Sequence, residues 1–358
     1  MMSDAPKLHN GRWSAYRMLL IVRLKEMFRE PEAIFWTFLF PVLLALGLGI
    51  AFRDKQPEPA HIVIAEQPGA DRVTALLKSA PNAERLRVEM QAPTVAANSF
   101  RLGKADLEIL PSPDRSVEYV YDPARAESML AHALADDALQ SAAGRKPALV
   151  TNSRINEEPG SRYIDFLIPG LIGMNLMGSG MWGVGFALVE MRQRKLLKRY
   201  IATPMRRSDF MLALGSSRML LMFVELALVL GFGILFFHLP VAGSWFAIVA
   251  LCAAGALTFA ALGLLTASRA QKIETVSGIM NVIMMPMWIF SGIFFSYERF
   301  PRLILPLIRL LPLTALNDAL RAVILEGRPL TTQAAQLAVL AIWGIASFFF
   351  AVRWFRWS

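Results

Sequence analysis

Apolar runs alternate with polar stretches along the chain, and their lengths set the architecture. A hydrocarbon core roughly 30 Å thick takes about 20 apolar residues to cross. Runs of that order occupy 33–52, 166–189, 219–237, 245–267, 275–297 and 334–352, which predicts six membrane-spanning helices. The stretch LILPLIRLLPL, Leu303 to Leu313, is shorter, is broken by proline and carries Arg309. It reads as a re-entrant or interfacial hairpin, not a seventh crossing. Ahead of the first run, Trp13, Tyr16, Leu20, Leu24, Met27 and Phe28 recur at helical spacing, with Arg17, Arg23, Lys25 and Arg29 elsewhere on the wheel. That pattern predicts an amphipathic helix in a headgroup layer, the alternative being an ordinary cytosolic helix.

The interval from Arg53 to Arg162 differs in kind, with 14 basic and 16 acidic residues and proline-interrupted polar sequence. HIVIA (His61 to Ala65) and ADLEIL (Ala105 to Leu110) read as strands, and SVEYVY (Ser116 to Tyr121) alternates at period two. ARAESMLAHALADDALQSAAG (Ala124 to Gly144) reads as an amphipathic helix. Together they predict an α/β domain over 53–162. The sequence has no evident internal repeat or low-complexity tract.

Composition and charge sharpen this picture. With 55% hydrophobic residues, a mean hydropathy of +0.44 and 18% charged residues, the composition is that of a membrane protein and a single soluble fold is a poor default. The net charge of +9 is set by topology. Residues 1–32 hold six Lys and Arg, 190–218 eight, 268–274 two and the tail two, whereas 238–244 holds none and 298–333 five. Basic residues accumulate in cytoplasmic loops, so both termini are expected in the cytoplasm and 53–162 outside it. Nucleic-acid binding needs a free basic patch, and here the basic run is tied to spans at both ends. About 32 mostly polar residues precede the first run and no A-x-A site follows it, so it reads as an uncleaved first span. The one cysteine, Cys252, lies in an apolar run and reads as packing.

Catalytic and nucleotide motifs are missing. No phosphate loop of the form G-x-x-x-x-G-K is present, and Gly103-Lys104 lacks the earlier glycine. Neither H-E-x-x-H, a Cys/His cluster nor G-x-S-x-G occurs, and His9, His61, His132 and His238 are scattered. No catalytic, metal or cofactor residue is assigned, and the chain does not read as an enzyme. The basic loop has its own pattern. In EMRQRKLLKRYIA, Leu196, Leu197, Tyr200 and Ile201 gather on one side of a helix, Thr203-Pro204 ends it, and Ser208 is placed to cap the next. Such a helix either satisfies insertion rules and binds anionic lipid, or docks a cytoplasmic partner.

Three stretches, in order, resemble the type-2 ABC exporter permeases. FREPEAIFWTFLFPVLL (Phe28 to Leu44) is similar to that family's interfacial helix and first span. FLIPGLIGMNLMGSGMWGVGFALVEMRQRKLLKRYIATPMRRSDFMLALGSSRM resembles its second span and following loop, and PMWIFSGIFFSYERFPRLILPLIRLLPLTALNDALRAVILEG (Pro286 to Gly327) its fifth span and outer hairpin. The resemblance implies a transmembrane subunit working as a dimer, with an identical or a different second permease, driven by two copies of a separate ATPase that uses ATP and Mg. It implies a coupling helix in the loop 190–209, mapping to Glu190, Arg194, Leu196, Leu197, Arg199, Tyr200 and Pro204. The interfacial helix maps to Trp13, Tyr16, Arg23 and Phe28, and the outer gate, in segment 298–327, to Phe295, Glu298, Pro301, Pro312 and Arg321. The large segment between the first two spans favours the drug- or lipid-exporting branch of a bacterial inner membrane, with a periplasmic adaptor as a further partner.

Inside the spans, Glu225 is an acid where charge costs about 2.5–3.5 kcal/mol on insertion scales. It reads as a site for a cationic substrate or a pairing that alters between states, against a protonated or headgroup-reaching carboxylate seven residues after Arg218. Asn175, Met177, Asn281 and Met284 read with it as a translocation pathway, against ordinary helix packing. Two rival functions remain: a membrane-anchored sensor with a ligand-binding external domain, which needs only one or two spans, and a membrane enzyme acting on lipid, which should cluster carboxylates or histidines at one face.

Overall fold

The structure is a computed structural model that describes residues 12–52, 59–114, 116–146, 162–196 and 207–354. The chain divides into two units, Asp54–Asn156 and the combination of Met1–Arg53 with Glu157–Ser358.

The larger unit opens with α1, Arg12–Arg29, which packs against α7 (Arg207–Phe237). After Glu30 the chain is helical from Pro31, passes through a π-turn at Phe35–Leu39 and continues as α2, Phe40–Ala51.

In the smaller unit, strands β1 (Ala60–Ala65), β2 (Leu86–Gln91), β3 (Leu107–Pro111) and β4 (Val117–Val120) lie in the order β2-β1-β3-β4. β1 runs parallel to β2 and β3, while β4 is antiparallel to β3. Ile62 stands opposite Val88 and Leu107, and Ile64 opposite Met90 and Ile109. β1 is buried from Ile62 to Ala65 because helices cover both faces of the sheet. On one face Ile62, Ile64, Leu107 and Ile109 meet Val73 and Leu77 of α3 (Ala70–Ser79) and Ala131, Ala135 and Leu139 of α5 (Ala126–Ala142). On the other, Val63 and Ala105 meet Ala96 of α4 (Pro93–Arg101). Three of these strands and α5 coincide with segments legible in the sequence; β2, with its mixed LRVEMQ pattern, does not stand out there.

Among the described residues, the larger unit continues with helices α6 (Tyr163–Gln193), α7, α8 (Trp245–Ala267), α9 (Ile273–Phe290), α10 (Leu305–Arg309), α11 (Pro312–Ile324) and α12 (Ala334–Trp354). α6 is the hub, packing against α2, α7, α8 and α11. At 31 residues it is about 46 Å long, and a second π-turn, Trp182–Phe186, interrupts it. Where it crosses α8 the two backbones touch. A Cβ on Gly263 would lie 2.8 Å from the Met181 carbonyl oxygen and 2.9 Å from its Cα, so the crossing depends on glycine, as close helix packing in membranes does.

Among the described residues, five helices are long and apolar enough to cross a membrane: Tyr163–Gln193, Ala213–Phe237, Trp245–Ala267, Ile273–Phe290 and Leu330–Trp354. The first apolar run gives a shorter helix, Phe35–Ala51. The fifth run, expected to continue to 297, stops at Phe290. Gly292 there adopts the left-handed conformation, φ +66°, which turns the chain out of the helix. A single 3-10 turn at Tyr297–Arg299 and the short α10 follow, and Pro312 opens α11 in its first turn, where its missing N–H costs nothing. Outward faces of α7, α9 and α12 carry exposed Phe223, Leu235, Val282, Met285, Ile345 and Phe349. An apolar mantle of this extent suits lipid, not water, and with the five long helices it makes this a multi-pass membrane protein.

Candidate functional site

Among the described residues, polar side chains of the larger unit gather at three levels along α6. At its N-terminal end, Asp165 is fully buried in the first turn and receives two bonds from Arg162, Nε to Oδ2 at 3.0 Å and Nη2 to Oδ1 at 2.8 Å. A carboxylate at a helix N-terminus is stabilised by the helix dipole. Arg321 of α11 reaches the same end. Its Nε donates to the Phe166 carbonyl at 3.2 Å, its Nη2 to the Gly292 carbonyl, and its guanidinium lies 3.6 Å from the centre of the Phe166 ring. One turn earlier, Asn317 donates to the Ser291 carbonyl at 3.0 Å. The carbonyls released where α9 stops are thus taken by side chains of α11, as buried backbone groups require. Beside them Tyr297 donates to the Asp318 carboxylate at 2.7 Å; burial, then that carboxylate, push its hydroxyl up to about 12.

Midway, Arg218 and Glu225 on α7 form a two-bond ion pair, Nη1 to Oε1 at 2.9 Å and Nη2 to Oε2 at 3.0 Å. Both are almost fully buried, at 5% and 2% exposure. Seven residues are close to two helical turns, so both lie on one face. Ser179 of α6 donates to Glu225 Oε2 at 2.9 Å, and Arg218 Nη2 also contacts the Ser179 hydroxyl. One turn away, Asn175 Nδ2 donates at 3.1 Å to the carbonyl of Thr37. Thr37 sits in the first π-turn, where carbonyls depart from the regular ladder. This network joins the π-turn that precedes α2 to α6 and α7.

At the C-terminal end of α6, Arg192 Nη1 donates to the Ala267 carbonyl at 3.0 Å and to that of Ala270, and Nη2 to that of Ser268 at 3.4 Å. Gln193 Nε2 reaches the Gln271 carbonyl at 3.4 Å. Glu190 pairs with Arg194 at 2.7 Å, Lys195 takes a left-handed backbone, φ +57°, and half-buried Leu196 packs onto the core.

The residues expected to act together are only partly gathered. Glu190, Arg194 and Leu196 stand at the start of the basic loop, while Leu197, Arg199, Tyr200 and Pro204 lie outside the described residues. Trp13, Tyr16, Arg23 and Phe28 fall on α1, where Tyr16 is half-buried and the other three side chains are outside the described set. Of the pathway residues, Met177 and Met284 are buried core, Asn175 is tied to Thr37, and Glu225 is neutralised by Arg218. Asn281 is exposed on α9. Phe295 packs with Phe300 at 6.0 Å between ring centres, Glu298 and Pro301 lie on the turn beyond α9, and Pro312 and Arg321 belong to α11. Ser179, Asp165, Asn317 and Arg192 were not singled out from the sequence. A lone Ser or Asn in an apolar run carries no period, and Arg192 is hidden among its basic neighbours.

Comparison with known proteins supplies the frame. Over 209 residues the chain is 23% identical to the ABC transporter G family member 20 of Dictyostelium discoideum, an alignment covering 58% of this chain and 28% of that protein. The chain therefore spans less than a third of the length of that relative. A family model described as "ABC-2 family transporter protein" matches residues 31–353, so the chain belongs to the ABC-2 transporter family.

Proposed function

We propose that the protein is the permease of an ATP-driven exporter, moving an amphipathic or hydrophobic compound outward between two copies of the chain. Six spans are assigned, the short Phe35–Ala51 helix being the first, with α1 in the cytoplasmic headgroup layer and both termini inside. The α9–α11 break forms a re-entrant outer gate, and the α/β unit lies outside the cytoplasm. The observation that carries the reading is the basic loop 190–209. It leaves the end of α6, the helix packed through the whole core, with Leu196 already against that core and seven Lys and Arg between Arg192 and Arg207. A partner gripping this loop holds one end of the hub.

The test is purification of the tagged protein in mild detergent, with an ATPase assay on what co-purifies. Leu197→Asp and Tyr200→Asp, which leave the core-packed Leu196 alone, are expected to abolish recovery of the ATP-hydrolysing subunit. Failure to recover any ATPase, even after crosslinking in native membranes, removes the motor from this reading.

A further inference from the structure

The clamp at the end of α6 has a use beyond holding the fold. Arg192 and Gln193 bond four main-chain carbonyls within Ala267–Gln271, the stretch joining α8 to α9. The last carbonyls of a helix lack intrahelical partners and carry the negative end of its dipole. A guanidinium, with five donors in a rigid fork, holds several of them at once. Ala267, Ser268 and Ala270 are buried and Arg192 is half-buried, so its guanidinium is directed at the α8–α9 turn. Arg194 and left-handed Lys195 then take the chain off the helix axis into the loop. Displacing the loop must move Arg192, and with it the α8–α9 turn.

We infer that Arg192, seconded by Gln193, is a positioning residue that transmits movement of the loop 190–209 to the turn between α8 and α9. This rests on the proposed docking of an ATPase on that loop. Its consequence is specific: the fourth and fifth proposed spans are driven from the loop after the second, without their own contact to the motor.

The experiment uses the full chain with its ATPase in inverted vesicles. Gln271→Cys, on the exposed turn, is labelled with a fluorescent maleimide with and without ATP plus vanadate; the native Cys252 is buried. Typical coupling free energies predict a change in labelling rate of about fivefold or more for the parent protein. R192Q should reduce it to below about twofold while the ATPase still co-purifies, and R192K, whose compact ammonium keeps the charge but lacks the planar fork, should keep an intermediate response. Thermal stability, recorded in parallel, separates a residue that merely caps α8, which lowers the midpoint and leaves the nucleotide response intact. An unchanged response in R192Q with ATPase bound overturns the clamp and leaves the docking reading standing. Absence of ATPase from the parent protein overturns both. Should R192Q fail to assemble, R192K decides, a full response refuting the inference and a partial one supporting it.

Discussion

Replacing Glu225 by alanine tests the buried network most directly. The change removes both bonds from Arg218, at 2.9 and 3.0 Å, and the bond from Ser179 at 2.9 Å. It leaves a 5% exposed guanidinium without a countercharge. Breaking a buried pair from one side costs about 3–5 kcal/mol, most of it the stranded charge. The interhelical hydrogen bond from Ser179 adds about 0.6 kcal/mol, the average for such bonds in membrane proteins. Because the penalty belongs to the unpaired ion, replacing both partners with apolar residues, Arg218→Met with Glu225→Leu, should restore stability to within about 1–2 kcal/mol of the parent, as buried-pair replacements elsewhere do. Unfolding in mixed micelles by SDS titration, followed by the fluorescence of the eight tryptophans, measures the parent and both variants. A Glu225→Ala protein that loses less than about 1 kcal/mol, or a double variant less stable than that single one, refutes the assignment of the energy to the stranded charge.

Three further outcomes are expected. Gly263→Ala should cost about 1–3 kcal/mol, because its Cβ meets Met181 backbone; Gly178→Ala, with nothing within 4 Å, should be neutral or slightly stabilising in the same SDS titration. Arg321→Ala strands the Gly292 carbonyl and removes the bond to that of Phe166, and should cost about 1–3 kcal/mol, read as faster proteolysis near the α9–α11 break; equal cleavage rates would contradict this role of Arg321. In the α/β unit, Glu108 is buried and its carboxyl is raised by that burial. A raised carboxyl binds its proton more tightly when folded, so it favours folding most at low pH. That advantage is lost as pH climbs from the ordinary carboxylate range through the folded value. Glu108→Gln should therefore raise the melting temperature at pH 8 and change it little at pH 4; the reverse pattern would exclude burial as the cause.

The pattern of apolar runs by itself located the long helices, because a span needs length and hydrophobicity and little else. Two of the central strands were equally legible: HIVIA is a continuous β-branched run, as a strand buried on both faces must be. Charge bias alone marked 190–209 as the basic loop. Tertiary structure decided the rest. The fifth run ends at Phe290 because Gly292 turns left-handed and side chains of α11 take the freed carbonyls, a contact between segments that are distant along the chain. Glu225 appeared as an isolated charge in an apolar stretch; only folding brings Ser179 from α6 to complete its pairing with Arg218. Arg192 is one of seven basic residues in its loop, and nothing local separates it from the others. Its bonding to the α8–α9 turn depends on where α8 ends, and hydrophobic periodicity records which face a helix buries but not which carbonyl waits at the end of its neighbour.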